Sequence, residues 1–318
     1  MPRILITGAL GQIGTEISAV LIEKYGESNV ISSDVREPSG GKGVSNFRRL
    51  DITDQDNVEK VVGEEGITDI FHLAAILSAT GERNPELAYQ VNSIGTFNVL
   101  KISRKLGVSK VIVPSSIAVY GPYTPKSNTP ILTLTRPDSI YGITKVDNEM
   151  LSAYYKRKFG LDVRGVRFPG LLSYKTLPTA GTTDYAVEMI MKASQGEDYK
   201  CYLSSDRTLP MMYMPDALDG LMKLYLADRS SLRYSTEYNI SAFSFSPKEL
   251  ETELQRIFPS FRVTYAPDFR DEIASGWPMS LDSSDAVKDW GFRPKFTLSD
   301  MVDDMVRNFS SMRIKKKN

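Results

Sequence analysis

Residues 3–14 read Arg3-Ile-Leu-Ile-Thr-Gly-Ala-Leu-Gly-Gln-Ile-Gly14, and this stretch decides the fold. Its first half is a short apolar run, which predicts a buried parallel strand. Glycines follow at Gly-x-x-Gly-x-x-Gly spacing and open a helical pattern. They let the backbone turn tightly and approach a pyrophosphate, which then lies at the helix N-terminus. The pattern favours a dinucleotide site over a plain glycine-rich turn, with contacts expected from Gly8, Gly11, Gln12, Ile13 and Gly14.

The second predicted strand indicates which dinucleotide is bound. Asn29-Val-Ile-Ser-Ser33 ends at Asp34, twenty residues after Gly14. An acidic residue at this place suits the two ribose hydroxyls of NAD and repels the 2′-phosphate of NADP. Arg36 is a weaker opposite signal, because an arginine nearby accommodates that phosphate. The sequence therefore predicts NAD as the cofactor.

Composition excludes several classes of protein. The chain has 318 residues, and its 39 Lys and Arg balance its 39 Asp and Glu, so no basic excess indicates nucleic acid. No apolar run is long enough to span a membrane. The first strand begins at residue 3 and the only cysteine is Cys201, so we expect no targeting peptide and a reducing, cytoplasmic location. With His72 as the only histidine, a zinc site and a histidine-based nucleophilic triad lack their usual residues, and we expect no metal.

Strand and helix patterns alternate through the first half of the chain. Strands are predicted near 3–7, 29–33, 47–51, 69–74, 110–115 and 162–167, and helices near 12–25, 54–64, 85–106 and 139–159. This alternation predicts an α/β fold with a doubly wound parallel sheet. We expect an NAD-binding Rossmann domain over 1–170. Over 171–318, where proline and methionine become frequent, we expect a smaller mixed α/β lobe that binds substrate and that could exchange segments with the first domain.

The apolar surface of the predicted helix 85–106 is wider than one sheet-facing stripe needs. Either a crowded sheet face or a second copy of the chain would bury it. We expect a homodimer.

Tyr141 and Lys145 are the candidates for proton transfer. They lie four residues apart on a predicted helix and so share one face. A nearby ammonium lowers the pKa of a phenol from its usual value of about 10, which would make Tyr141 a base towards an alcohol. Alone, a Tyr-x-x-x-Lys pair is common in helices, and its neighbours decide its meaning.

Ligands of open α/β sheets bind outside the carboxyl ends of the strands. The fourth strand ends in the small residues of Leu73-Ala-Ala75, which would let a cofactor lie close. The fifth ends in Ser115 and Ser116, and a hydroxyl beside Tyr141 could hold a substrate oxygen as charge develops. One of the two serines is expected to be only a strand-end cap.

Together these segments resemble the extended short-chain dehydrogenase/reductases, whose best-known members are nucleotide-sugar epimerases and dehydratases. The matching segments are the three glycines, Asp34, Asp51, His72-Leu-Ala-Ala75, Asn92 with Gly95-Thr-x-Asn98, Ser116-x-x-Val-Tyr-Gly121 and Tyr141-x-x-x-Lys145. The resemblance implies that Ser116 is the catalytic hydroxyl, Tyr141 the base and Lys145 the residue that holds the nicotinamide ribose. It also implies that Asp51 and Ile52 lie at the adenine and that Asn92 belongs to a relay behind Lys145.

Four further segments resemble the short-chain type of L-threonine 3-dehydrogenases. These are Leu77-Ser-Ala-Thr-Gly81, Gly181-Thr-Thr-Asp-Tyr-Ala186, Leu209-Pro-Met-Met-Tyr213 and Trp277-Pro-Met-Ser with Asp289-Trp-Gly291. The nucleotide-sugar enzymes usually have an arginine seven residues before the acid that matches Asp216, where it pairs with the diphosphate. This chain has Leu209 there, with Arg207 displaced.

This second resemblance implies oxidation of L-threonine at C3 to 2-amino-3-ketobutyrate, with hydride passing to the nicotinamide. A zwitterion needs both charges met, and Asp184 would face the ammonium while Ser78 and Thr182 donate to the carboxylate. The other interpretation of 181–184 is a helix N-cap. Two other functions stay open: a nucleotide-sugar epimerase or dehydratase, and a non-catalytic NAD-binding regulator.

Overall fold

The structure is a computed structural model that describes residues 1–38, 46–176 and 181–317, with side chains described up to residue 311. Its strands are β1 (Ile4–Thr7), β2 (Val30–Asp34), β3 (Phe47–Arg49), β4 (Asp69–His72), β5 (Lys110–Ile112), β6 (Ser115–Ser116), β7 (Asp162–Arg164), β8 (Val166–Phe168), β9 (Gly170–Leu172), β10 (Tyr199–Cys201), β11 (Leu209–Tyr213), β12 (Tyr238–Asn239), β13 (Phe243–Phe245) and β14 (Val263–Tyr265). Its helices are α1 (Gln12–Tyr25), α2 (Gln55–Glu64), α3 (Ser78–Arg83), α4 (Pro85–Tyr89), α5 (Gly95–Leu106), α6 (Ile140–Phe159), α7 (Tyr185–Gln195), α8 (Met214–Leu226), α9 (Pro247–Ile257), α10 (Phe269–Ser275), α11 (Ser284–Trp290) and α12 (Leu298–Lys317).

A six-stranded parallel sheet forms the centre, in the order β3-β2-β1-β4-β5-β7. Alternate residues of β1 point to opposite faces, as the pleat requires. Ile4 and Ile6 pack in the core shared with α1 and α8, and Leu5 packs in the core shared with α2 and α5. The doubly wound α/β fold is therefore confirmed.

The predicted helix ends are confirmed by their caps. Asn84 accepts a hydrogen bond from the Leu87 amide at the start of α4, where Pro85 is the first helical residue. Gly107 ends α5 with φ of +71°, a conformation that favours glycine. Between α4 and α5, residues Gln90–Ile94 form a π-helical turn that the periodicity did not predict.

Two predicted strands are each broken into two. The run 110–115 divides into β5 and β6 because Pro114 has no amide hydrogen to continue the ladder. The run 162–167 divides into β7 and β8 at Gly165, where an added Cβ would lie 2.0 Å from the Val113 carbonyl oxygen. Strands β6 and β8 then leave the main sheet and pair with each other, and β8 also pairs with β12.

Segments of the second half lie in two places. Helix α8 packs against α1 on the main sheet, whereas α7, α9 and α12 share a separate core that includes Tyr185 and Leu250. Strand β9 follows β8 and belongs to another small sheet, in which it pairs with β11, and β11 pairs with β13. The division at residue 170 stays a prediction.

The surface of α4, α5 and α6 is partly apolar. Leu87, Tyr89, Ile94 and Phe97 are 37–45% exposed, although Val99, Leu100 and Ile102 are buried against the sheet. On α6, Met150 and Tyr154 are also exposed. Sheet packing thus covers only part of the wide apolar surface, and the homodimer stays a prediction. Across the three described ranges, the structure contains no helix that is both long and apolar enough to cross a membrane.

Candidate active site

A pocket of about 870 Å³ opens where β4, β6 and β8 end. Ten of the residues predicted from the sequence line it: Gln12, Ile13, Leu73, Ala75, Ser78, Ser116, Tyr141, Lys145, Thr182 and Asp184. We name two sides of it. The sheet-edge wall comprises Leu73, Ala75, Ser116, Tyr141 and Lys145, and the cross-chain wall comprises Ser78, Thr182, Asp184 and Trp277.

The glycine turn after β1 fits a dinucleotide cradle. Gly8 has φ of +69°, and a Cβ there would lie 2.6 Å from the Ala74 amide nitrogen. A Cβ on Gly14 would lie 2.2 Å from the Gly8 carbonyl oxygen. Gly11 precedes the first residue of α1 and has no side chain to cover the helix N-terminus. The turn therefore packs tightly against the sheet and presents backbone, as a bound pyrophosphate requires.

Asp34 lies at the end of β2, beside this turn. Its Oδ2 accepts a hydrogen bond from the Leu10 amide at 3.2 Å. Arg36 donates from Nε to Oδ1 at 3.0 Å and from Nη2 to Oδ2 at 3.2 Å. Arg36 is mostly exposed and Asp34 is buried, so the arginine is held by the carboxylate that is predicted to bind the ribose.

The remaining predicted cofactor residues lie outside the pocket lining. Asp51 is exposed just after β3, and its Oδ1 accepts bonds from the amide and hydroxyl of Thr53. Ile52 is buried against Gly95. Ala74 packs against Gly8 in the glycine turn. Whether Asp51 and Ile52 contact an adenine stays a prediction.

Asn92 lies in the π-helical turn behind the pocket. Its Oδ1 accepts from the Ile76 amide at 2.8 Å, and its Nδ2 donates to the Ile76 carbonyl at 3.0 Å and to the Thr144 hydroxyl at 3.1 Å. It thus fastens the segment after β4 to the helix that contains Lys145, which is the position a relay residue behind that lysine would need.

Tyr141 and Ser116 meet in the pocket, and both are partly exposed there. Burial of the phenol raises the pKa of Tyr141 to about 12, although a hydrogen bond with Ser116 lowers it. Lys145 is buried, and its Nζ donates to the Pro114 carbonyl at 2.8 Å. Burial lowers the pKa of the Lys145 ammonium to about 8, against the charge of Glu149, which raises it.

The expectation that Lys145 lowers the pKa of Tyr141 is therefore wrong for the chain by itself. Loss of solvation at the buried phenol outweighs the hydrogen bond with Ser116, because burial disfavours the charged form of the group.

A buried ion pair behind Lys145 was not predicted. Glu149 lies one helical turn further along α6, and its Oε2 pairs with Arg167 Nη2 at 2.7 Å. Ser115 donates to Glu149 Oε1 at 2.6 Å, whereas Ser116 accepts from the Ala118 amide at 3.2 Å and contacts Tyr141. Ser115 is thus the structural serine of the two. The i, i+4 spacing to Lys145 was the only sequence signal for Glu149.

His72 is fully buried and holds one tautomer. The Thr96 hydroxyl donates to the Asn92 carbonyl at 2.6 Å, so its oxygen accepts from His72 Nε2 at 3.0 Å. Nδ1 is then unprotonated and accepts from the Thr7 hydroxyl at 2.8 Å. Burial, with the charge of Lys145, lowers the pKa of His72 to about 3. The structural role expected for His72 follows from these contacts.

The cross-chain wall brings distant segments together. The hydroxyls of Ser78 and Thr182 lie 3.0 Å apart. Asp184 is buried, and its Oδ2 accepts from the Gly181 amide at 2.8 Å, upstream of α7, rather than from the first turn of that helix. Trp277 lines the pocket although the sequence assigned it no role, since only the resemblance drew attention to its segment.

The described ranges contain no group of three or more His, Cys, Asp or Glu side chains arranged to hold a metal ion. The absence of a metal from the enzyme stays a prediction.

Comparison with known proteins shows which family the chain belongs to. Residues 4–241 match the model of the NAD dependent epimerase/dehydratase family. The chain belongs to this family. An uncharacterised epimerase/dehydratase of Staphylococcus haemolyticus is 43% identical over 310 residues, which cover 96% of this chain and 97% of that relative.

Two solved structures are also similar along the whole chain. A monomeric L-threonine 3-dehydrogenase from a metagenome is 46% identical with a TM-score of 0.94, covering 97% of this chain and 99% of that one. A GalE-like L-threonine dehydrogenase from Cupriavidus necator is 45% identical with a TM-score of 0.94, covering 96% and 99%. This member of the epimerase/dehydratase family is thus an enzyme of a nicotinamide-dependent superfamily, with L-threonine dehydrogenases among its structural neighbours.

Proposed function

We propose that this enzyme oxidises L-threonine at C3 to 2-amino-3-ketobutyrate with NAD. The observation that supports this most is the pocket itself, which has a Tyr141–Ser116 hydroxyl pair on one wall and Ser78, Thr182 and Asp184 on the other. The first wall suits an alcohol and the second a small zwitterion. The similarity to L-threonine dehydrogenases over nearly the whole chain points to the same substrate.

In this proposal each residue acts at a stated atom of threonine. Tyr141 accepts the proton of the C3 hydroxyl, and Ser116 hydrogen-bonds the same oxygen as charge develops on it. Lys145 keeps positive charge beside the phenol. Asp184 faces the ammonium. The hydroxyls of Ser78 and Thr182, which hydrogen-bond each other at 3.0 Å, turn to donate to the carboxylate when substrate binds.

The cofactor proposed is NAD, which supplies the hydride acceptor when bound. The glycine turn would hold its pyrophosphate and the Asp34 carboxylate its adenine ribose hydroxyls. Because the Arg36 guanidinium donates to both Asp34 carboxylate oxygens, it is held away from a 2′-phosphate, and this supports the preference for NAD over NADP.

A nucleotide-sugar epimerase or dehydratase is the second candidate, favoured by the family name. The residues that would bind the diphosphate speak against it. Leu209 is fully buried in β11 and cannot pair with an anion. Arg207 donates from Nε and Nη2 to the Asp271 carboxylate, both at 3.0 Å, so its charge is already matched. A non-catalytic regulator is opposed by the intact Ser116, Tyr141 and Lys145.

Absorbance of NADH at 340 nm, measured with purified enzyme and a panel of substrates, tests the proposal. We expect NADH from L-threonine, little from L-serine, and no turnover of UDP-glucose or UDP-galactose. Turnover of a nucleotide sugar without activity on L-threonine would select the second candidate, and NAD binding without turnover of any alcohol would select a regulator.

A further inference from the structure

The segment that contains Trp277 has empty space on both sides. One side is the active-site pocket. The other is a second cavity of about 860 Å³, lined by Trp277, Gly276 and Ser275 together with Tyr120 and Ser139. Trp277 is a buried member of an apolar cluster, and specific bonds to its backbone also hold the segment between the two cavities.

Those bonds come from Lys126. Its Nζ donates to the carbonyl oxygens of Ser275 at 3.0 Å, Gly276 at 2.8 Å and Trp277 at 3.3 Å. An ammonium has three donors, and all three are used here. The acceptors lie at the end of α10, where helix carbonyls lack intrahelical partners and the dipole favours a cation.

The backbone of the same loop holds the other side of Trp277. The Lys126 carbonyl accepts from the Met279 amide at 2.7 Å and from the Ser280 amide at 3.2 Å. The Asn128 amide donates to the Ser280 hydroxyl at 2.7 Å. The Trp277 segment is thus bonded on both sides to the stretch around Lys126.

The loop with Lys126 also connects, along the chain, the segment of Ser116 to the helix of Tyr141. It begins after the short turn Ile117–Val119, which Ser116 caps, and it ends at Ser139, the N-cap of the helix that contains Tyr141. One loop therefore touches the sheet-edge wall at both of its ends and the cross-chain wall at its middle.

We propose that Lys126 is a positioning residue that fixes Trp277, and with it the cross-chain wall, relative to Ser116 and Tyr141. The identity of the substrate rests on the proposed function, but the positioning does not. Without the ammonium, packing alone would hold the Trp277 segment, the indole would shift towards the second cavity, and the pocket would lose its fit to a small substrate.

Kinetics of Lys126→Met give the first test. This variant keeps the length of the side chain and removes its three donors. Because small misplacements of a substrate are costly, we expect KM for L-threonine to rise about tenfold or more, with KM for NAD within about twofold of wild type. Lys126→Arg, which keeps charge and donors, should recover most of the loss. Lys105→Met removes a surface lysine paired with Glu59 and should change nothing.

Unchanged KM in Lys126→Met would overturn the proposal, as would an equal rise in KM for NAD or a lower unfolding temperature with normal kinetics. These outcomes would make Lys126 a purely structural residue.

Fluorescence gives a second test that needs no substrate. The protein has two tryptophans, Trp277 and Trp290, so Trp290→Phe leaves Trp277 as the only indole. In that background we expect Lys126→Met to raise acrylamide quenching of Trp277 at least about twofold, since the 8% exposed indole would gain contact with solvent. Equal quenching with and without Lys126 would contradict the positioning even if L-threonine proves not to be the substrate. If Trp290→Phe fails to fold, the kinetic test in the wild-type background stands by itself.

Discussion

The two walls of the pocket are held in place by different interactions. The sheet-edge wall continues from the parallel strands and the cap of α6, so backbone hydrogen bonds set its geometry. The cross-chain wall joins residues more than 190 positions apart, from Ser78 to Trp277, through side-chain bonds such as Ser78–Thr182 and those of Lys126. The first wall suits chemistry that tolerates little movement, and the second suits selection among substrates. Substitutions on the two walls should therefore change different kinetic constants.

The largest effect is expected on the sheet-edge wall. Tyr141→Phe removes the proton acceptor and keeps the ring, so turnover should fall by about 10²–10⁴. The Kd for NAD should change little, which fluorescence titration can measure. Tyr154→Phe, at an exposed tyrosine of the same helix, is the matched control and should be silent. Near-normal turnover in Tyr141→Phe would show that Tyr141 is not the catalytic base.

The pH profile sharpens that assignment. A base acts when deprotonated, so log kcat/KM should rise with pH above neutrality as Tyr141 ionises. The wild-type slope should approach one because the pKa of about 12 in the chain alone keeps the phenol mostly protonated. Residual activity of Tyr141→Phe should lose this slope, and a profile that is flat in wild type would contradict the role of the phenol.

A smaller effect is expected on the cross-chain wall. Asp184→Asn keeps size and removes charge, and the amide oxygen can still accept from Gly181. Loss of a charge-assisted bond to the ammonium should lower kcat/KM for L-threonine about ten- to a hundredfold, mainly through KM. Asp219→Asn, on a surface ion pair of α8, is the control. If kcat/KM and the unfolding temperature both stay unchanged, Asp184 does not contact the substrate.

The cofactor side should respond independently of both walls. Asp34→Ala should weaken NAD binding about tenfold and improve NADP, because Arg36 is released towards the 2′-phosphate. In Asp34→Ala/Arg36→Ala the gain for NADP should disappear. Kd values for both cofactors measure this, and an unchanged preference would place Asp34 away from the ribose.

The smallest effect is expected at His72, a buried residue in the lining of the pocket. Protein labelled with ¹⁵N-histidine should give a single imidazole, since the chain has one histidine. Its Nε2 should be protonated and its shifts constant between about pH 5 and 9, because the pKa is lowered to about 3. If His72 titrates near its ordinary pKa of about 6.5, its hydrogen bonds with the Thr7 and Thr96 hydroxyls are not formed.

Sequence reasoning predicted the helices and strands whose signals, periodicity and capping residues, lie within the element itself. The helix 12–25 and the end of the long helix at Gly107 follow from periodicity and capping, and the structure has both. It missed α3, which has only six residues, and the break of 162–167, which depends on a close contact between Gly165 and Val113. Lone apolar runs do not reveal such contacts.

The site divides in the same way. Tyr141 and Lys145 were found from their spacing. The strand end offered Ser115 and Ser116, and the family resemblance selected Ser116, which lies with Tyr141 and Lys145 in the pocket. Trp277, Lys126 and the Glu149–Arg167 pair were given no role, because their meaning comes from partners far away in sequence. The direction of the Tyr141 pKa was wrong for a similar reason, since the spacing to Lys145 is visible in sequence whereas burial is not.

The central claim, oxidation at C3 of L-threonine, is tested most directly by isotope transfer. L-threonine carrying deuterium at C3 should be incubated with the enzyme and NAD, and the reduced cofactor should be analysed by mass spectrometry. We predict one deuterium in each NADH formed, together with 2-amino-3-ketobutyrate or its decarboxylation product. NADH without deuterium, or no NADH from L-threonine alongside turnover of a nucleotide sugar, would contradict the account.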